Sequence, residues 1–124
     1  IKLSAPLNSK IFSEVAEVAA ESISQNKDIN KSTQLRKFYD ELTMWHDKVF
    51  QAASLEEAYQ NAAPFIQMLK AKAAYSKGRK HVDDNFVDVF NQIIGQIHSP
   101  DSLKNAKLFF EAVLGFRKAN EEKK

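Results

Sequence analysis

The chain has 124 residues, of which 44% are hydrophobic and 27% are charged, and its formal net charge is only +2. This composition is typical of a globular protein and argues against disorder, and the apolar runs are far shorter than the ~20 residues that cross a bilayer. No cysteine occurs, which excludes disulfides, thiolate zinc sites and cysteine nucleophiles and is compatible with a reducing, cytoplasmic location.

The balance of residue types predicts helices. Only three glycines and three prolines occur, whereas Ala, Leu, Lys, Glu and Gln are plentiful, as expected for helices joined by short loops. No segment shows sustained alternation of β-branched residues. We therefore predict an all-α fold, a single compact bundle of five or six helices that forms one domain over residues 1–124.

The first predicted helix runs from Asn8 or Ser9 to about Gln25. It carries a modest apolar stripe, and a polar loop from Asn26 to Lys31 follows it. The stripe consists of Ile11, Val15, Val18, Ala19 and Ser22.

The second predicted helix has the clearest pattern. Ser32 or Thr33 can cap it, and it should end near Gln51. Apolar and aromatic residues follow at spacings of three and four: Leu35, Phe38, Tyr39, Leu42, Trp45, His46 and Val49.

The middle of the chain contains a capping signal and a proline. Ser54 and Glu57 have the spacing of a capping box, which predicts a helix start. Pro64 lacks an amide hydrogen, so it either starts another helix or kinks this one. We predict the next helix from Pro64 to about Ser76, ended by Gly78.

Two further helices complete the prediction. Asp83 or Asp84 can cap the fifth, whose stripe contains Phe86, Val87, Phe90, Ile93, Ile94 and Ile97. Ser99 followed by Pro100 is a typical cap and first position for a last helix that reaches about Ala119. Its stripe contains Leu103, Ala106, Phe110, Val113 and Leu114. The polar end, residues 120–124, is expected to fray.

No residue pattern indicates catalysis, so we expect no catalytic residue, no cofactor and no metal. Asp83 and Asp84 fit helix capping, and His46 lacks a second histidine or a glutamate at metal-binding spacing. His98 lies near a helix end, where the helix dipole alone favours it. No glycine-rich loop is present to cradle a phosphate, and no serine lies in a nucleophile turn.

The segment from Gln67 to His81 is the most basic part of the chain and has no acidic residue. On a helical wheel, Phe65, Ile66, Leu69 and Ala73 face the core, and a second, flat face contains Gln67, Met68, Ala71, Ala74 and Tyr75. Lys70 and Lys77 lie on one edge of this flat face, and Lys72 and Arg79 lie on the other. Such a face suits a sugar-phosphate backbone, a protein partner or plain solvent.

Two other features each have a structural and a functional interpretation. Phe109 and Phe116 lie beside the main stripe of the last helix, where they either widen the core stripe or form a ridge for a partner. Arg36 and Lys37 lie on the outer face of the second helix, where ion pairs with Asp40 and Glu41 would account for them.

Four segments together resemble the small helical subunit of type III-A CRISPR interference (Csm) complexes. They are LRKFYDEL (35–42), PFIQMLKAKAAYSKGRK (64–80), FVDVFNQII (86–94) and LKNAKLFFEAVLGF (103–116). LKAKAAYSKGRK and FFEAVLGF are the most specific of them. The similarity covers about two thirds of the chain, and the first thirty residues take no part in it.

The resemblance implies a non-catalytic subunit of an antiviral RNA-guided complex. Several copies of the subunit would form an inner filament that lines the guide and target RNA duplex, beside the backbone subunits and in contact with the large polymerase-like subunit. Guides vary in sequence, so such a subunit must contact phosphates and sugars. The residues expected to do so are Lys70, Lys72, Lys77, Arg79 and Lys80, followed by Arg36 and Lys37. The alternative is a helical adaptor that binds only proteins.

Overall fold

The computed structural model of the protein describes residues 1–122, which form helices and no strand. A short π-helical turn precedes six α-helices within this range. The bounds are Ile11–Val15 for the π-helical turn, Ala16–Ser22 for α1, Ser32–Phe50 for α2, Leu55–Gln67 for α3, Leu69–Gly78 for α4, Asp84–Gly95 for α5 and Pro100–Glu122 for α6. The predicted all-α fold is confirmed.

The core is centred on aromatic side chains from three helices. The ring of Phe38 lies 5.3 Å from Phe86 and 5.2 Å from Phe90, and Phe90 lies 5.5 Å from Phe110, measured between centroids. These rings and the other residues expected in the core are buried, namely Leu35, Leu42, Leu69, Ile93, Ile94 and Val113. The stripes of α2, α5 and α6 therefore pack against one another as predicted.

The N-terminal region belongs to the same core. Leu3 is fully buried, its N–H donates to Gln96 Oε1 (3.3 Å), and its carbonyl accepts from Asn105 Nδ2 (2.9 Å). The predicted first helix is shorter than expected, because it begins as a π-helical turn at Ile11 and ends at Ser22. Val18, which was assigned to its apolar stripe, is 65% exposed. α1 packs on α6, and its buried residues have small side chains, namely Ala16, Ala20 and the predicted Ala19.

The start of α2 differs from the prediction in its cap. The N-cap is Lys31, and neither Ser32 nor Thr33 caps the helix with its side chain. The carboxylate of Glu121 takes this role, because it accepts from both Ser32 N and Ser32 Oγ at 2.9 Å. Since α6 continues to Glu122, the predicted helix end at Ala119 was too early. The rest of the tail expected to fray, Lys123 and Lys124, lies outside the described residues.

Pro64 does not start a helix, contrary to the prediction. It lies inside α3, which begins after Ser54, whose Oγ accepts from Glu57 N (3.3 Å) as the capping box required. The interruption falls at Met68, whose carbonyl accepts from both Ala71 N (2.9 Å) and Lys72 N (3.3 Å). The boundary between the two helices therefore lies at Met68 and not at Pro64, and α4 ends at Gly78, close to the predicted end.

The two remaining helices start at the predicted caps. Asp83 Oδ1 accepts from Phe86 N (3.1 Å) at the start of α5. Ser99 Oγ accepts from Ser102 N (3.1 Å), and Pro100 is the first residue of α6. Both caps place the partner amide three residues ahead, which is why the local sequence was sufficient to locate them.

A polar junction joins the α1–α2 loop to the start of α5. Asn30 is buried, and its φ of 55° is left-handed, a conformation that asparagine tolerates. Its Nδ2 donates to Asp83 Oδ1 (2.7 Å) and to Ile23 O (3.2 Å), while Asp83 N donates back to Asn30 Oδ1 (3.0 Å). The backbone N–H of Asn30 donates to His81 O (3.2 Å), so the loop after α4 is fastened to the same residue.

Arg117 closes this junction from α6. Although only 1% of it is exposed, its guanidinium donates to Asn30 O (2.9 Å) and Ile29 O (3.2 Å). Glu121 Oε2 lies 3.8 Å away and partly neutralises the buried charge. A buried arginine is tolerated only when it is hydrogen-bonded and paired in this way, so α6 fixes the loop before α2.

Candidate nucleic-acid interface

The flat face predicted on the basic segment is exposed along α4. Ala71, Ala74 and Tyr75 are exposed, and 67% of Tyr75 is accessible. The opposite side packs into the core through Ile66, Leu69 and Ala73, as expected.

Phe65 is the exception to the predicted core face. It is 49% exposed, and its ring stacks on Trp45 of α2 at a centroid distance of 5.3 Å. The prediction was wrong because it assumed one continuous helix from Pro64. Since the helix is interrupted at Met68, Phe65 lies in the last turn of α3 and does not keep the angular position relative to Leu69 that a single helix would give it.

One edge of the flat face lies against α2. Lys72 Nζ donates to Glu41 Oε2 at 2.6 Å, and Arg79 donates to the hydroxyl of Tyr75 at 3.2 Å. The Arg79 guanidinium also lies 5.8 Å from the centroid of the Tyr75 ring. Lys37 approaches this edge from α2 and lines one groove with Arg79.

The other edge lies against α5. Lys77 forms an ion pair with Asp84, and the hydrogen bond to this carboxylate raises the pKa of the lysine ammonium. Lys70 Nζ lies 3.7 Å from the position that a Cβ would take on Gly95, at the end of α5. The carboxyl-terminal end of a helix carries a partial negative charge, which favours the lysine there. Both edges therefore hold the two cations assigned to them.

Lys80 follows the end of α4 and is exposed in the left-handed region, with a φ of 65°. Its N–H donates to Lys77 O (2.9 Å), which tightens the turn after the helix. No ion pair is recorded for Lys80 among residues 1–122. Its exposed side chain adds a cation just beyond the end of α4.

Arg36 points to a different part of the surface. It forms an ion pair with Asp40 at 3.2 Å and lines a groove of about 650 Å³ between α2 and α6. The same groove contains Lys118 and the hydrogen bond from Tyr39 Oη to Glu111 Oε1 (2.6 Å). Burial, followed by this hydrogen bond, raises the pKa of Tyr39. The structure thus brings six of the seven predicted cations to the surroundings of α4 and leaves Arg36 apart.

Sequence reasoning missed several residues that shape this surface. Gln34, Ser76 and His81 line the groove that Lys37 and Arg79 share. Asn30 and Arg117 hold the loop that carries His81, and an isolated asparagine at the end of a polar loop gives only a weak signal for a left-handed residue.

The histidines and the second aromatic ridge have structural roles. His46 stacks on Phe50, and its Nδ1 lies 2.9 Å from Asp47 Oδ1, so the imidazole is engaged in packing and in a hydrogen bond. His98 Nδ1 lies 2.9 Å from Gln96 O, just beyond α5. Phe109 is fully buried, which confirms the core interpretation for that residue.

Residues 1–122 lack the features of two other kinds of site, a metal centre and a membrane span. No group of three or more His, Cys, Asp or Glu residues is arranged to hold a metal ion. None of the helices in this range is both long and apolar enough to span a membrane.

Comparison with known proteins identifies the family. The model of the Csm2 Type III-A family matches residues 7–123, nearly the whole chain. The match includes most of the N-terminal region, for which no resemblance was found in the sequence. Comparison with curated proteins and with solved structures gave no match. The chain belongs to the Csm2 Type III-A family and is therefore a small subunit of a type III-A CRISPR Csm complex.

Proposed function

We propose that this chain is a non-catalytic, cytoplasmic subunit that contacts the backbone of the guide and target RNA duplex through α4. Copies of it would form an inner filament beside the backbone subunits and meet the large polymerase-like subunit. The observation that carries the proposal is the exposed flat face of α4 with cations on both edges, Lys72 and Arg79 toward α2 and Lys70 and Lys77 toward α5.

Charge and shape both suit a phosphate backbone. Small side chains in the middle of the face allow a strand to approach closely, while the cations on its edges neutralise phosphates. A subunit that must accept any guide sequence is expected to contact phosphates and sugars and not base edges.

The ion pairs of Lys72 and Lys77 do not prevent this role. Both pairs lie on the surface, where solvent screens an ion pair and leaves it a small contribution to stability. A phosphate can therefore displace Glu41 or Asp84 at small cost. Repeated copies along one RNA would add the contributions of individually weak contacts.

The adaptor hypothesis is favoured by a different observation. Phe65 and Met68, each 49% exposed, form an apolar patch beside Trp45. Lys48 Nζ lies 5.3 Å from the centroid of the Trp45 ring. Aromatic residues and methionine are enriched in protein interfaces. This patch shares Met68 with the flat face and suits a protein neighbour.

Salt dependence separates the two hypotheses. The subunit is co-expressed with the other subunits and a guide RNA, and retention of target RNA is measured over a range of salt concentrations. Phosphate contacts make log affinity fall linearly with log salt, and each neutralised phosphate adds roughly 0.7 to 0.9 to the slope. If the wild-type complex and a complex assembled without this subunit have equal slopes, the RNA-contact proposal is wrong.

A further inference from the structure

A second feature lies where α2 and α4 meet, at the end of the flat face. The N-terminal half of α2 and the end of α4 enclose a groove of about 350 Å³. Its polar lining consists of Gln34, Lys37, Tyr75, Ser76, Arg79 and His81, and its floor is the buried Phe38. No acidic residue lines it, whereas both ion pairs on the edges of α4 contain a carboxylate.

The chemistry of the groove suits a phosphate. Lys37 and Arg79 supply two positive charges, and the side-chain amide of Gln34 can donate a hydrogen bond. The nearby carbonyls that would repel an anion are engaged, because Tyr75 O accepts from Arg79 N (3.0 Å) and Ser76 O accepts from His81 N (3.0 Å). An incoming phosphate would therefore meet hydrogen-bond donors and not free carbonyl oxygens.

Tyr75 adds a stacking surface at the same place. Two thirds of its surface is exposed, whereas Leu69, the other large apolar residue of α4, is buried. Exposed aromatic rings beside cations are how proteins bind single-stranded nucleic acid, because the ring stacks on a base and the cation meets the phosphate. A base inside a duplex has both faces covered by its neighbours, so only an unpaired base can use such a ring.

The groove is held rigidly. His81 O accepts from the buried Asn30 N–H, and Lys80 reverses the chain just before it in a left-handed conformation. The wall formed by His81 is therefore fixed to the junction between the α1–α2 loop and α5. A preformed wall lowers the entropy cost of binding a small ligand.

We propose that this groove is a subsite for one unpaired nucleotide, with its phosphate between Lys37 and Arg79 and its base stacked on Tyr75. The inference rests on the proposed RNA contact and adds to it a preference for an unpaired nucleotide. The cations on the edges of α4 would contact a backbone whether its bases are paired or not. Gln34, Ser76 and His81 position the phosphate and sugar.

Nuclear magnetic resonance on the full chain tests the subsite with two probes, adenosine 5′-monophosphate and ribose 5-phosphate, which lacks the base. The adenine ring should shift the Tyr75 and His81 resonances, and the nucleotide should bind about 5- to 100-fold more tightly than ribose 5-phosphate. Tyr75→Ala should abolish that difference, and Tyr75→Phe should keep it. Lys37→Gln should weaken both probes alike.

Equal affinity for the two probes would show a phosphate site only and would overturn the proposal. Absence of shifts at Tyr75 and His81 at millimolar nucleotide would do the same. The outcome is distinguishable from failure of the RNA-contact proposal, which is measured by the salt dependence of the assembled complex. If nucleotide binding is absent and Tyr75→Ala releases the subunit from the complex, the groove is a protein interface.

Discussion

Asn30 and Asp83 hold each other by a reciprocal pair of hydrogen bonds, although 53 positions separate them in the sequence. The same Asp83 oxygen that accepts from Asn30 also caps α5. One carboxylate thus sets the start of a helix and fastens the loop before α2.

We expect Asn30→Ala to destabilise the fold by on the order of 3 kcal/mol, because it leaves buried groups unpaired at a left-handed position. Asn30→Gly tolerates the left-handed conformation and removes only the side chain. Comparing it with Asn30→Ala therefore separates the loss of hydrogen bonds from the backbone strain. Urea unfolding measures the change, and the exposed Asn61→Ala is the control, expected within about 0.5 kcal/mol of the parent. Equal stability of Asn30→Ala and Asn61→Ala would contradict the role of the junction.

A matched pair of phenylalanine substitutions tests the core. Phe90→Ala should cost on the order of 3 kcal/mol, because Phe90 is fully buried among three other rings. Phe65→Ala should cost clearly less, since about half of that residue is already in solvent. Thermal or urea unfolding followed by circular dichroism compares them, and a larger loss at Phe65 would overturn the assignment of the core.

The pH dependence of stability should reveal the cap that Glu121 gives to α2. The hydrogen bond from Ser32 N, more than any other contact, lowers the pKa of this carboxyl in the folded protein. Its contribution is therefore present above the ordinary glutamate value of about 4.3 and is lost as the pH falls through the folded pKa. Glu121→Gln should be less stable than the parent near neutral pH, and the difference should shrink as the pH falls below the ordinary glutamate value and through the folded pKa of Glu121. A difference that stays constant over that range would argue against the cap.

The helix caps and core stripes were predictable because their causes are local. Ser54 and Asp83 each find their partner amide three residues ahead, and the buried positions of α5 follow the helical period. Likewise, the division of the lysines between two edges of α4 needs only the geometry of one helix.

The remaining features depend on residues that are distant in sequence. The cap of α2 comes from Glu121, 89 positions away, and displaces the expected roles of Ser32 and Thr33. The helical wheel placed Lys72 on an edge of the flat face, but it could not show that Glu41 of α2 lies opposite this lysine. The groove of Lys37 and Arg79 exists only because the loop after α4 returns to Asn30.

Purified protein should neither cut RNA or DNA nor hydrolyse nucleotides, with or without divalent metal. This expectation follows from the residues available along the chain, which offer no activated nucleophile. Gel and nucleotide-release assays on repurified protein measure it. Activity that one substitution, such as His46→Ala, removes without changing the fold would refute it.

The most direct test of the account is the salt dependence of target RNA retention by assembled complexes that carry Lys72→Gln and Arg79→Gln together. Lys10→Gln with Lys104→Gln is the matched control, because both of these lysines are exposed and belong to neither α2 nor α4. Substitution by glutamine avoids placing a second carboxylate beside Glu41. Subunit composition is measured in parallel.

If α4 contacts phosphates, the α4 variant should retain less RNA, and its salt slope should fall by roughly one unit for each cation removed, whatever the RNA sequence. The control variant should behave as the parent, and both complexes should keep all their subunits. Unchanged RNA retention together with loss of this subunit from the complex would contradict the account and assign the face of α4 to a protein partner.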